Sequence, residues 1–337
     1  MKNKQQSAST NVADTVKVKK AHNPDAFITL LLAVVCASVA LVMLIINKYA
    51  ASFGGTLLAP LLGQILVFLI PTYLFLQITA YGKGAKALSK ELGFGKIGAE
   101  HIFFMVFTAL FMMSTSFVMN TLFYGVYKAS EGFTILGIFT AGVKEYTVSL
   151  PYIILVYAAA PAIIEEFVLR GVVYSSLSKI SSPLAVAGSS IISAIFGFSI
   201  GGFPAALFCA LAYCFIRYIT GSVVACMIVH FAFNLYGLFL QTNLSKYLLS
   251  QQNILMLLTV TLTVWLVCMA LFFSECANIF RAKSKRIVSG EAKSEIVRPD
   301  LKKLRSDTLA ILAHKPSLVC AIALFLLFAA VTVLGII

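Results

Sequence analysis

Apolar runs about as long as a bilayer is thick follow one another from Ala26 to Ile337. A helix needs about 20 apolar residues to cross hydrocarbon. Inside lipid every backbone N–H and C=O must be satisfied within the protein, so runs of this kind fold as helices or as a closed barrel. The runs are continuous rather than alternating, which selects helices. The whole chain agrees: 60% of its 337 residues are hydrophobic and 12% are charged, where a soluble domain carries about 25% charged residues. The expected fold is all-α, a polytopic membrane helix bundle.

The runs can be placed in order. Residues 1–25 are polar and lysine-bearing and read as a disordered, basic cytoplasmic tail. Ala26–Asn47 is longer than the core of a cleavable signal and reads as an uncleaved first span. The second run, Leu57–Ala80, contains Pro60 and Pro71, which predict kinks. A lysine- and glycine-bearing connection, 81–101, leads to the third run, Ile102–Val126, and a mixed connection follows over 127–148. The fourth run, Ser149–Ser178, is too long for one straight span and is expected to bend near Pro161 or to leave the membrane. The fifth is Pro183–Ile200, closed by Gly201-Gly202-Phe203-Pro204. The sixth is Ala205–Ile219, followed by the turn Thr220-Gly221-Ser222. The seventh is Val223–Leu240 and the eighth Ile254–Phe273. A basic cytoplasmic loop over 274–315 and a C-terminal transmembrane helix, Pro316–Ile337, complete nine expected spans. The membrane domain is thus 26–273 plus that last helix.

With the N-terminus cytoplasmic, all Lys and Arg except Lys48, Lys128, Lys144 and Lys246 fall inside. That asymmetry obeys the positive-inside rule. It accounts for the net charge of +13 without nucleic acid as a partner, and leaves the lipid bilayer as the expected one. The seven cysteines lie in or beside apolar runs with no CxxC pair, so they read as small buried hydrophobes, not as a disulfide or zinc framework.

Against this apolar background the fourth run keeps Glu165, Glu166 and Arg170. Each charge at mid-membrane costs roughly 2.5–3.5 kcal/mol on insertion scales, and charges kept there mark function. Glu166 and Arg170 are four apart and can pair on one helix face, which by itself explains both as packing elements. Glu165 points about 100° away and needs a cavity, water, a metal or a proton of its own, which are the surroundings of a general base. Among the histidines only His230 falls within an expected span, with Asn234 one turn later. That pair reads either as interhelical hydrogen bonding or as part of a site shared with the glutamates. HExxH, GxSxG and a phosphate-binding loop are absent, and no Asp occurs in an expected span, which argues against an aspartyl intramembrane protease.

Glu165-Glu166-x-x-x-Arg170-Gly171, the turn Thr220-Gly221-Ser222 and His230-x-x-x-Asn234 together resemble the CAAX-endopeptidase and bacteriocin-processing family of membrane proteases (CPBP, also called Abi). The resemblance covers about 149–240. It implies a multi-pass protein of a bacterial cell membrane, with a cavity in which a membrane-proximal peptide or protein is hydrolysed. It also implies Glu165 as the base activating water, Glu166 and Arg170 as its support, His230 as a ligand of water or metal, and Asn234 as oxyanion donor. A divalent metal such as zinc would rest on Glu165 and His230. The chain departs from the family at its second motif, Phe-x-x-x-His: after Phe196 the histidine position is Ile200, and no histidine occurs between Arg170 and His230.

Three readings follow. The first is an endopeptidase working through glutamate-activated water. The second is a catalytically silent relative that serves as a membrane scaffold, immunity or peptide-binding protein. The third is a transporter with a carboxylate relay, disfavoured because no related halves are visible. The nine-span topology itself is open to test: a reporter fused after Ile337 should be found outside, and a cytoplasmic reporter would overturn the count.

Overall fold

The computed structural model describes residues 61, 64–79, 84–122, 150–179, 182–196, 203–241 and 254–289. The first and ninth expected spans, the connection 127–148 and Ile200 lie outside the described residues. Within them the protein is helical, with no strand, and the helix-bundle expectation is borne out. Among the described residues, five helices are long and apolar enough to cross a membrane, at Ala99–Met119, Leu150–Ser178, Phe203–Thr220, Val223–Leu240 and Thr259–Arg286. The protein is a multi-pass membrane protein.

The elements in order are α1 (Ile70–Thr79), α2 (Ala85–Leu92), α3 (Ile102–Leu122), α4 (Leu150–Ser178), α5 (Ser182–Ile195), α6 (Phe203–Thr220), α7 (Val223–Leu235) and α8 (Ile254–Val288). Of the fifth expected span the described helix is Ser182–Ile195, and 197–200 lie outside the described residues. The eighth does not stop at Phe273 but runs on through Glu275 and Arg281 to Val288. Its last turns hold good helix formers, Ala, Lys and Arg, with no Gly or Pro to end them until Gly290. Glu275, expected in a loop, is therefore helical and accepts a hydrogen bond from Asn278 one turn on.

Two prolines shape the backbone in the same way. A proline ring collides with the carbonyl four residues before it and cannot donate to it. Just ahead of Pro71 the helix widens into a π-helical stretch, Ile65–Leu69, closed by Ile70 N–H donating to Ile65 O. Just ahead of Pro161 the same happens over Leu155–Ala159, closed by Ala160 N–H donating to Leu155 O. The bend expected in the fourth run is thus a widened turn, not a break. A third such stretch, Phe167–Val173, has no proline and contains Arg170. Single-turn widenings of this type gather at functional sites.

Lipid tails are as apolar as leucine, so helices in a membrane associate through close packing and hydrogen bonds. The contacts here rely on small residues. Ala158 and Ala162 of α4, Ala185, Ser189, Ser190 and Ala194 of α5, and Ala225 of α7 are wholly buried. Ser189 of α5 donates to Leu169 O of α4 at 2.9 Å, and Ser190 to Cys214 Sγ of α6 at 3.3 Å. Two cores result. One gathers Val67, Phe68, Ile164, Val168, Leu169, Val172 and Ile192 around α4. The other gathers Phe104, Met112, Tyr213, Ile216 and Val229 where α3, α6, α7 and α8 meet. There Phe104, Phe111, Phe208, Phe215 and Phe272 interlock edge to face and stacked, and Trp265 of α8 donates to Thr115 of α3 at 2.9 Å.

On one side of the bundle a loop and a turn are tied together. Gly93, left-handed at φ 84°, ends α2; its carbonyl accepts Val223 N–H at the start of α7. Ser222 donates to Gly95 O at 3.1 Å, and the Thr220 hydroxyl accepts Ser222 N–H at 3.1 Å. Gly221, at φ 67°, turns the chain between α6 and α7, and its carbonyl accepts Arg217 Nη1. A side chain at Gly93 would run into the Arg217 guanidinium, whereas Gly95 has open space. Gly93→Ala should therefore lower stability by about 1–3 kcal/mol, combining left-handed strain with the displaced arginine. Gly95→Ala should leave the detergent-solubilised melting temperature unchanged. Equal melting temperatures for the two variants would refute this.

Candidate active site

α4 is the most buried of the spans and carries both glutamates. Glu166, on its inner face, is fully buried. Its Oε1 accepts from Arg170 Nη1 at 3.0 Å, the pairing expected from their spacing. The same oxygen accepts from His230 Nδ1 of α7 at 2.8 Å. A carboxylate facing a guanidinium has only acceptors to offer, so the hydrogen in this contact lies on His230 Nδ1. Arg170 is buried as well. Its Nη2 donates to Ala210 O of α6 at 3.0 Å, and its Nη1 also reaches Ser193 Oγ of α5 at 3.4 Å. One ion pair thus links α4, α5, α6 and α7.

Tyr213 of α6 completes this cluster. Its ring stacks on the His230 imidazole with centroids 4.8 Å apart and planes 22° apart, and the Arg170 guanidinium lies 5.1 Å from its centroid. Such contacts add about 0.5–2 kcal/mol each and fix the imidazole plane. The backbone is held too: Cys226 of α7 donates to Tyr213 O.

Glu165 faces elsewhere, as its helical position requires. It is partly exposed, and its Oε1 accepts from Gln64 Nε2 at 2.8 Å. The glutamate expected to stand alone therefore has a neutral partner, from a helix far away in sequence. Asn234, one turn beyond His230, donates to Ala158 O at 3.3 Å. That carbonyl lies in the widened stretch before Pro161, where the regular ladder is interrupted.

All five sequence candidates, Glu165, Glu166, Arg170, His230 and Asn234, thus lie on α4 and α7, two helices that pack together. The direct partner of His230 is Glu166, not Glu165. Sequence reasoning did not select Gln64, Tyr213 or Ser193. A search confined to acids and histidines passes over them, although an amide in the apolar run 57–80 was a visible signal. The Phe-x-x-x-His position, Ile200, lies outside the described residues.

Among the described residues no three His, Cys, Asp or Glu side chains are grouped so as to hold a metal. Glu166 Oε1 is shared between Arg170 and His230, and its Oε2, which has no partner among the described residues, is not grouped with two further donors of this kind. Catalytic zinc takes three protein ligands, so these residues do not fit such a site.

The buried pair makes an energetic prediction. Removing one partner of a buried ion pair strands the other charge and costs about 3–5 kcal/mol, while replacing both is far milder. Arg170→Met alone should abolish folding or sharply lower the melting temperature. The double variant Glu166→Gln/Arg170→Met should recover most of the loss, since the glutamine carbonyl still accepts from His230. A double variant as unstable as the single one would show that the pair is not the source.

No curated protein and no solved structure matches this chain. Residues 147–236 match the model of the family described as "Type II CAAX prenyl endopeptidase Rce1-like", so this segment is similar to the family that the Glu165-Glu166-x-x-x-Arg170 and His230-x-x-x-Asn234 motifs resemble.

Proposed function

We propose that the protein is an intramembrane endopeptidase in which Glu165 activates water to cleave a membrane-proximal peptide. One observation carries the reading: of the two adjacent glutamates, Glu166 is locked into a buried network, while Glu165 is partly exposed and, among the described residues, hydrogen-bonded to a neutral amide. Adjacent carboxylates in such different surroundings have different tasks.

In this reading Glu165 takes a proton from the attacking water as the new C–O bond forms at the scissile carbonyl carbon. It then returns the proton to the departing amine as the C–N bond breaks. His230, aligned by Glu166 and Tyr213, offers Nε2 to orient that water. The amide of Asn234 supplies a donor to the oxyanion. Arg170 neutralises Glu166 and does not touch the substrate. The nine-span topology with a cytoplasmic N-terminus belongs to the same proposal. The family description points to a prenylated peptide ending in Cys-aliphatic-aliphatic-X as the first substrate to try.

A second reading, a silent relative that binds a membrane peptide as scaffold or immunity factor, is favoured by one observation, Ile200 in place of the second-motif histidine. The two separate in a single assay. Purified wild type, Glu165→Gln and His230→Ala are compared on prenylated and unprenylated membrane-tethered peptides. Both variants should lose about 10²–10⁴-fold in rate, and wild-type cleavage should persist in excess chelator. Equal background cleavage by all three proteins would leave the binding reading.

A further inference from the structure

The missing histidine leaves the expected site one polar group short, and the fold offers a replacement from outside the family-matched segment. Gln64 lies 101 residues before Glu165 in sequence, yet its Nε2 donates to Glu165 Oε1 at 2.8 Å. Gln64 is more than nine-tenths buried. A carboxylate can only accept, so the amide nitrogen must face Glu165 and the amide oxygen must point away. That oxygen, Oε1, is buried and has no hydrogen-bond partner among the described residues. A buried carbonyl left unsatisfied forgoes the hydrogen bond it had to water, and this one stands beside the candidate base.

Local structure explains how Gln64 is held there. It immediately precedes the widened stretch Ile65–Leu69 that relieves Pro71. The neighbouring Val67 and Phe68 pack into the same core as Ile164 and Val168 of α4. Gln64 is therefore fixed by packing on both sides of its contact.

We propose that Gln64 is a positioning residue for the hydrolytic reaction, standing in for the histidine that Ile200 replaces. Its amide N–H₂ fixes the rotamer of Glu165. Its free carbonyl oxygen accepts a hydrogen from the water that Glu165 activates, so that the water's lone pair faces the scissile carbonyl. No bond to Gln64 forms or breaks. The inference rests on the proposed endopeptidase reading and adds to it a residue that the family motifs do not contain.

The test uses the full chain in detergent or lipid, with the tethered prenylated peptide as probe, and compares Gln64→Met, Gln64→His and Glu165→Gln. Methionine keeps the bulk of glutamine without donor or acceptor. It should lower kcat by about 10- to 100-fold, the loss of a hydrogen bond to a charged group, with KM and melting temperature unchanged. Histidine, which can donate to Glu165 and accept from water, should restore most of kcat. A wild-type kcat in Gln64→Met while Glu165→Gln is inactive removes this inference and leaves the endopeptidase reading intact. Failure of Gln64→His to rescue, or a parallel fall of kcat and melting temperature in Gln64→Met, also overturns it, because the role is then packing. A wild-type chain that cleaves neither tethered peptide removes both proposals.

Discussion

The carboxylate of Glu166, buried and shared by Arg170 and His230, is the interaction on which the rest of the bundle depends. A lone charge in hydrocarbon costs several kcal/mol. Here the cost is offset by an arginine on the same helix face and by hydrogen bonds from that arginine to α5 and α6. The charge cannot be satisfied unless four helices are in register. The pair therefore specifies an arrangement more than it adds stability, in keeping with the small or negative net contribution of buried ion pairs.

Packing around the pair follows the same logic. Lipid supplies no hydrophobic driving force between helices, so α4, α5 and α7 meet through alanine and serine and come close enough for serine hydroxyls to reach backbone carbonyls. Prolines that would obstruct a regular helix are absorbed by widened turns, and each widened turn lies next to a site residue. The stretch before Pro161 presents the Ala158 carbonyl to Asn234. The one before Pro71 follows directly on Gln64. Backbone irregularity and candidate-site geometry thus meet at the same places, where a proline interrupts the helical ladder.

The different surroundings of Glu165 and Glu166 come from their being neighbours on a helix. About 100° of rotation separates them, so one faces the bundle's interior ion pair and the other a partly exposed wall. The buried one meets His230 and the partly exposed one meets Gln64. Tyr213 and Arg217 support the arrangement from α6, Tyr213 by stacking on His230 and Arg217 by donating to Arg170 O and to the turn at Gly221.

The apolar runs determined the helical membrane fold, because backbone polar groups in lipid leave no other choice for continuous runs of that length. Glu165, Glu166 and Arg170, and the pair His230 and Asn234, were legible because polar groups stand out against that background and helical spacing fixes their mutual directions. The end of α8 was not legible from hydropathy, since an apolar run measures membrane thickness and not helix length. Nor could spacing along the chain say which glutamate meets His230, or that Gln64 meets the other. Those contacts join residues tens to a hundred positions apart. Only the docking of α7 and of the Gln64 segment against α4 decided them, through side-chain shape and helix rotation, which are properties of the packed bundle.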